Sequence, residues 1–506
     1  MRMSILNYLD RGGLVSSPQS IWLQDGDLAW SFDQFSARTR GIGSALIEVG
    51  VTINDVVAVF LPNSAHVLAA DFGILRAGAV FMNLDVTLPR ARLRAIFDSV
   101  LPRLILVTRE LCEKIPVDLL YKTIVYEDLM DATIDEMALT ERLTEVIDTD
   151  PACLICTSGS TGVPKAVALS HRGLIDFGDW FDQRFDFNAN DVVGSLSPLF
   201  FDGYIPGLLM SLLHGGRFVI LPKEAAAFPV KLADQLAQHE VSFIFWVPST
   251  LVPMAKLNIL NSVPLPKLRF VGFAGEVMPP TTLTYFRRFL PHAQFVNFYG
   301  PIEISVICTY FVVPSNFSED QPVPIGLPCA NSRVLILDDD DLLCAPGQAG
   351  ELCIAGSCVA LGYWNNPEKT SASFVRNPLV TSRAEIIYRT GDIAVLGDDG
   401  NILFVGRKDF QIKHQGYRID LGEIEHAADV RLGVKAVSVV YDRDARTIVL
   451  FYESGCEISA QEIRSSLGVL LPKYMLPQKI VRIETMPLNP NGKIDRKLLE
   501  SSINTR

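Results

Sequence analysis

From Leu154 to Lys165 the chain reads Leu-Ile-Cys-Thr-Ser-Gly-Ser-Thr-Gly-Val-Pro-Lys, an apolar strand that empties into hydroxyls, glycines and one lysine. Glycines let backbone N–H groups approach an anion closely, hydroxyls add donors and Lys165 adds a mobile positive charge. The chemistry such a loop suits is phosphate binding. Its spacing is not that of the usual P-loop, in which Gly-Lys is followed by Ser or Thr. Four further runs follow: Asn297-Phe298-Tyr299-Gly300-Pro301-Ile302-Glu303, Tyr388-Arg389-Thr390-Gly391-Asp392, Gly406-Arg407-Lys408-Asp409-Phe410-Gln411-Ile412-Lys413 and Asn489-Pro490-Asn491-Gly492-Lys493-Ile494-Asp495. Between them they carry stackable rings, carboxylates, arginines and, in Lys493, a lysine set in turn sequence.

In that order the five runs resemble the adenylate-forming superfamily: nonribosomal peptide synthetase adenylation domains, acyl-CoA synthetases and firefly luciferase. The resemblance spans residues 18–499. It implies ATP and Mg²⁺ as cofactors and an acyl adenylate as the intermediate. Joining a carboxylate to the α-phosphate of ATP brings two anions together, so positive charge and donors must be imported. By the resemblance, Lys493 bridges the carboxylate and the α-phosphate, while Lys165 acts with Thr157, Ser158, Gly159, Ser160, Thr161 and Gly162 on the β- and γ-phosphates. Glu303 binds Mg²⁺, a hard cation suited to carboxylate oxygen. Tyr299 stacks on adenine, Asp392 takes the ribose hydroxyls, and Arg407 and Phe404 lie against the nucleotide with Gly275, Glu276, Asn297, Phe298, Gly300 and Pro301. One departure matters: Ile302 stands where the family pattern has Thr, and removing one such donor can cost about 3–4 kcal/mol of transition-state stabilisation.

Phe201-Asp202-Gly203-Tyr204 resembles the place where amino-acid-activating members keep a carboxylate for the substrate's α-ammonium, since a buried cation needs a partner. The remaining pocket positions map to Gly203, Pro206, Trp246, Gly272, Ala274, Phe298, Gly300, Val306 and Ile307. No second charge occurs in that set, and Trp246 and Phe298 are expected to fill much of its volume, which points to a small apolar side chain, proline ahead of alanine. The stretch Phe245 to Thr250 and the Gly275-Glu276-Val277 run resemble D-alanine:carrier-protein ligases; prolyl-carrier-protein ligases are similar in size. An acyl-CoA synthetase acting on an acid without an amino group is the alternative. The second step requires a thiol, that of a phosphopantetheine arm on a separate carrier protein, for the chain ends soon after Lys493 and a free-standing enzyme is expected. Asp409 is the expected hinge and Gly416 the expected lining of the thiol's path.

The elements that must hold these residues alternate. Residues 31–49 read as an amphipathic helix with Ser31 as N-cap, Val56 to Phe60 as a buried strand, Ala65–Ala77 as a helix and Ala79–Leu84 as a strand; the pattern recurs through 153–171, 193–222 and 242–274. This predicts an α/β fold with stacked layers and largely parallel sheets. Short β-rich pieces near 333–338, 350–356 and 401–405 predict a small barrel-like subdomain, completing an N-terminal domain over 1–408. Residues 409–506 predict a small mobile α+β domain, in which Asp420 followed by Glu423 looks like a helix-capping pair.

With 506 residues, 49% of them hydrophobic, the chain can bury more than one core. A net charge of −12 without a basic stripe argues against nucleic-acid binding. Neither a signal-peptide core in Met1 to Asp10 nor an apolar run of membrane-spanning length is present, so a cytoplasmic protein is expected. The nine cysteines fit reduced thiols, and the CxxC spacing of Cys153 and Cys156 has no second half with which to hold a metal.

Overall fold

The computed structural model describes residues 3–158, 164–318, 320–408, 410–488 and 494–503. Two large sheets and their helices form the N-terminal lobe. One sheet has seven strands and is parallel at its centre, where Val56–Phe60 lies between Val80–Asn83 and Leu104–Val107. The other has nine, with Arg217–Ile220, Val192–Ser195, Phe243–Trp246, Phe270–Ala274 and Gln294–Tyr299 side by side and parallel. Strands covered on both faces read as unbroken apolar runs, and Val56–Phe60 is buried at every position.

The helices between the sheets follow from local sequence. Phe32–Glu48 begins at Ser31, whose hydroxyl accepts from the Gln34 amide while the Gln34 side chain accepts from the Ser31 amide. Such a cap contributes about 1 kcal/mol. Phe32, Phe35, Ile42 and Leu46 then turn inward at helical spacing. They join a core that includes Val57 and Val59 from one sheet and Trp22, Phe218 and Phe243 from the other. Around Phe181 gather Phe177, Phe185, Phe243, Phe270 and Phe298, with ring centroids 4.8–6.2 Å apart. This aromatic block backs the strands that carry the site.

The β-rich stretch after residue 330 forms an open antiparallel sheet built on Ala349–Gly356 and Ile386–Leu396, with Ser332–Leu337, Phe374–Arg376 and Ile402–Arg407 alongside. Beyond it the hairpin Gln411–His414 and Tyr417–Asp420 leads into the helix Leu421–Leu432 and a three-stranded sheet of Ala436–Asp442, Thr447–Glu453 and Lys479–Ile483. The two apolar clusters of this lobe draw on no residue before Ile412. Asp420 caps its helix by accepting from the Gly422 amide, as the sequence suggests, but Glu423 does not complete a capping pair. Its carboxylate instead meets Arg92 of the N-terminal lobe in an ion pair whose two side chains are 6% and 1% exposed. A partner 331 residues away outcompetes the local backbone because burial leaves a charge no tolerable alternative. No helix among the described residues is long and apolar enough to cross a membrane, and all nine cysteines are free thiols.

Candidate active site

Between the lobes lies a cavity of about 300 Å³. Strand ends and the loops after them supply its walls from the N-terminal lobe, as expected where parallel sheets present their carboxyl edges. Of the residues singled out in the sequence, it gathers Thr157, Ser158, Asp202, Gly203, Trp246, Ala274, Gly275, Gly300, Pro301, Ile302, Val306 and Gly416. Gly159, Ser160, Thr161, Gly162, Asp409 and Lys493 lie outside the described residues.

At one end Asp202 faces the cavity from the turn that precedes the helix Ile205–His214. Burial pushes its carboxyl up to about 6, against a smaller opposing pull from its own backbone and from Lys413. The apolar wall opposite follows from strand alternation. Phe245 sits against Phe298, centroids 5.3 Å apart, over Gly272, where an added Cβ would lie 2.9 Å from Phe245 and 3.1 Å from Phe298. Trp246, its neighbour, packs mainly into a second core and donates its indole N–H to the Gly194 carbonyl at 2.9 Å. The volume-filling role expected of Trp246 therefore falls to Phe245 as well, a residue the sequence mapping passed over. Pro206 and Ile307 are buried behind the wall and do not reach the cavity. Val306 closes the wall with φ = 83°, following Ser305 at 52°; left-handed backbone at a β-branched residue is rare and strained. The Val306 carbonyl passes so close to Gly300 that a Cβ there would lie 2.3 Å away.

Glu303, Lys165, Tyr299, Asp392 and Arg407 do not line the cavity, and beyond its lining these groups are paired. Glu303, in the short helical turn Ile302–Ile304, accepts from the Tyr363 hydroxyl at 2.9 Å and from Arg418 Nη1 at 2.7 Å. Burial alone would raise its carboxyl, but Arg418, the local backbone and the hydroxyls of Tyr363 and Tyr388 together hold it below the ordinary range. Lys165, at the start of its strand opposite Thr157, places its ammonium 5.0 Å from the Tyr363 ring centroid. Burial, and then Lys369 and Arg418, pull the Lys165 amine down. Next to this cluster the Tyr299 hydroxyl donates to Asp392, which also pairs with Arg407. Lys413 lies 5.6 Å over the Tyr299 ring, on a ring the sequence assigns to adenine. Phe404 is half-buried against the main core. Asn297 is buried and donates to the Pro324 carbonyl at 2.7 Å, so its side chain braces a loop and does not line the cavity.

The second lobe enters through the hairpin tip. Gly416 has φ = 83° and donates its N–H to Glu276 Oε1 at 2.9 Å, while Glu276 Oε2 accepts from the Ser249 amide at 2.9 Å. Only glycine takes that conformation without strain, and a Cβ would stand 3.0 Å from Val247. Lys413, Tyr417 and Arg418 of the same hairpin also line the cavity. None of the three was assigned a role from sequence, although Lys413 falls inside a quoted run. Their signal was present, but only docking of the lobes gives them something to touch.

Residues 15–364 match the family model described as AMP-binding enzyme. The chain belongs to that family, a branch of the adenylate-forming superfamily. It is 34% identical over 490 residues to gramicidin S synthase 2 of Brevibacillus brevis, an alignment covering 96% of this chain and 11% of that protein, so the chain spans about a tenth of its relative's length. Among solved structures it is similar to PA1221, described as a nonribosomal peptide synthetase protein containing adenylation and PCP domains bound to a vinylsulfonamide inhibitor (24% identity, TM-score 0.83, 98% of this chain and 84% of that one). The Vibrio cholerae adenylation domain AlmE, solved with glycyl-adenosine-5'-phosphate, has a TM-score of 0.85 at 20% identity, covering 100% and 98% of the two chains.

Proposed function

We propose that this protein activates a small apolar amino acid with ATP, releasing pyrophosphate, and passes the aminoacyl group to the phosphopantetheine thiol of a carrier protein. The observation that carries this reading is Asp202, a recessed carboxylate facing an otherwise apolar wall of Phe245, Ala274 and Val306. A pocket for a plain acid has no use for a carboxylate there, whereas an α-ammonium needs one. Proline is the first expectation for the side chain and alanine the second, since Phe245 and Phe298 fill the space above Gly272.

In the first half-reaction an oxygen of the substrate carboxylate attacks the α-phosphorus and the bond to the β-phosphate breaks. Asp202 anchors the ammonium, which aims the carboxylate along the cleft toward Ser158 and Glu303. Lys493 neutralises the approach of the two anions, and Thr157, Ser158 and Lys165 hold the phosphates that leave. The Glu303 end fits a hard cation: its carboxylate is buried and held ionised, so it needs a positive partner, a place that Arg418 takes in this structure. Mg²⁺ bound there would screen the phosphate charge. In the second half-reaction the thiolate attacks the acyl carbon and AMP departs. The hairpin tip at Gly416, docked against Glu276 and Val247, supports a role for that loop along the thiol's path, with the segment at Asp409 as the hinge between the two arrangements.

Amino-acid-dependent ATP–pyrophosphate exchange over the proteinogenic set plus D-alanine tests the reading. Exchange with proline or alanine supports it; exchange only with carboxylic acids lacking an amino group replaces it with the acyl-CoA synthetase reading.

A further inference from the structure

Behind the loop that carries Asp202 lies a polar cluster where apolar side chains would otherwise pack. Asp71, on the helix Ala65–Arg76 that touches both large sheets, and Asn83, at the end of the strand Val80–Asn83, are 1% and 6% exposed. The Asn83 amide uses both of its hydrogens: Nδ2 donates to Asp71 Oδ2 at 2.9 Å and to the Leu199 carbonyl at 2.9 Å. The Leu199 amide in turn donates to Asn63 Oδ1 at 2.8 Å. Two asparagines that follow or end strands of the seven-stranded sheet thus grip both backbone groups of Leu199. That residue lies in the loop that brings Phe200, Phe201, Asp202 and Gly203 to the cavity. Asp71 Oδ1 and Asn83 Oδ1, also buried, have no partner among the described residues. The cavity of about 10 Å³ beside Asp71 is lined, apart from Tyr204, by apolar side chains such as Phe72, Phe81 and Leu208. Such a void does not solvate an anion. The titratable groups that face Asp71 are Tyr126, Cys153 and Tyr204, and none of them is a cation. Burial accordingly pushes the Asp71 carboxyl well up, against a smaller pull from Asn83. A single proton answers both orphaned oxygens: the acid O–H donates to the amide oxygen while the amide N–H donates to the acid.

We propose that Asp71 is a positioning residue: kept protonated, it pairs with Asn83 as acid with amide, so that the amide is aimed at Leu199 and the loop holds Asp202 where the substrate's ammonium arrives. The inference rests on the reading of Asp202 as the ammonium anchor. Without the acid, the Asn83 amide is free to turn about its terminal bond and release Leu199. Leu199 stands three residues before Asp202, and the Phe201 amide donates to the Pro198 carbonyl at 3.1 Å, so a shift at Leu199 passes along a tight turn. The proton has a second effect. Cys153 and Tyr204 each feel both Asp71 and Asp202, which places the two carboxyls near one another. An un-ionised Asp71 leaves the ammonium to Asp202 instead of drawing it deeper.

The test measures amino-acid-dependent ATP–pyrophosphate exchange by the intact chain and its variants. Asp71→Leu, which removes the acid, is expected to raise KM for the amino acid roughly tenfold while KM for ATP stays within about twofold of the wild type. Asp71→Asn, neutral and able both to donate to and to accept from the Asn83 amide, is expected to restore the wild-type KM. An infrared difference between wild type and Asp71→Asn, recorded at a pH well above that at which Asp202 titrates, should show the carbonyl stretch of an un-ionised carboxylic acid in the wild type. Absence of that band overturns the proposal, and so does an Asp71→Asn enzyme as impaired as Asp71→Leu. It is equally overturned if Asp71→Leu leaves the amino-acid KM unchanged, or raises both KM values alike, the mark of general loosening. Should circular dichroism show that Asp71→Leu fails to fold, Asn63→Ala, which frees the Leu199 amide from an exposed position, must raise the amino-acid KM selectively for the proposal to stand. If the wild type exchanges only with acids lacking an amino group, the anchor reading fails, and the infrared band together with KM for that acid decides the Asp71–Asn83 pairing by itself.

Discussion

Asp202 lines the cleft and Glu303 follows Ile302 of its wall without lining it, and burial pushes both carboxyls up. They finish on opposite sides of the ordinary value because, among the described residues, Glu303 has a protein cation in contact and Asp202 does not. Glu303 has Arg418 at 2.7 Å and a tyrosine hydroxyl at 2.9 Å, whereas Asp202 feels Lys413 only as a more distant charge. The difference marks which end of the site is completed by the protein and which waits for a substrate. Glu303 is satisfied by Tyr363 and by Arg418 of the second lobe; Asp202 calls for a positive group that no described residue brings into contact with it.

The largest effect is expected from Lys493→Ala, which removes the charge that lets two anions meet. Pyrophosphate exchange should fall by roughly 10²–10³-fold or more while transfer from preformed adenylate to thiol is largely spared. Equal loss of both steps would break the division of labour between the two ends. Asp202→Ala should lower kcat/KM for the amino acid about 10²-fold, since the ammonium then enters an apolar wall unpaired; an enzyme for plain acids would barely respond.

Asp202 also sharpens the contrast through pH. Its ionised form is the one that binds an ammonium, so kcat/KM for the amino acid should decline as pH falls through about 6. Stability runs the other way. The folded value lies above the ordinary 3.8, so this group's contribution is fully present below that value and is lost as pH rises through about 6. Asp202→Asn should therefore raise the melting midpoint near neutral pH and change it little in acid. For Glu303 the sign reverses: its folded value is depressed, so its stabilisation is present above the ordinary carboxylate range and disappears as pH falls through the lowered value.

Gly416→Ala should slow thiol transfer by about tenfold, because it places a side chain in left-handed backbone against Val247, and should leave pyrophosphate exchange much less affected. Smaller still is Ile302→Thr. Ile302 lines the cavity beside Glu303, and a hydroxyl there should raise the exchange rate severalfold if it reaches the α-phosphate, a modest part of what such a donor can supply. No change would mean that another donor already serves that oxygen.

Much of this was legible in the chain because the decisive signals were local. Ser31 with Gln34, the apolar run at Val56–Phe60 and the hydroxyl-glycine loop after Leu154 each declare themselves within a few residues. Asp202 and Glu303 were found the same way, through short runs. What escaped notice depends on distance in the sequence or on a strand's facing. Phe245 and Trp246 are adjacent and both aromatic, and only the register with Gly272 decides which one packs against Phe298. Glu423 reads as a capping residue until Arg92 is brought to it, and Arg418 reads as a surface cation until Glu303 is. Contacts between lobes leave no periodic trace in either partner's segment, since each is set by a docking event that neither encodes alone.

The left-handed backbone at Val306 has a practical side. A valine there is held where glycine would sit more comfortably, so trimming this wall to widen the chamber relieves torsional tension at the same moment. Efforts to accept a bulkier amino acid thus have a starting position at which roominess and robustness pull together, whereas shaving Phe245 or Phe298 would hollow out the aromatic block behind them.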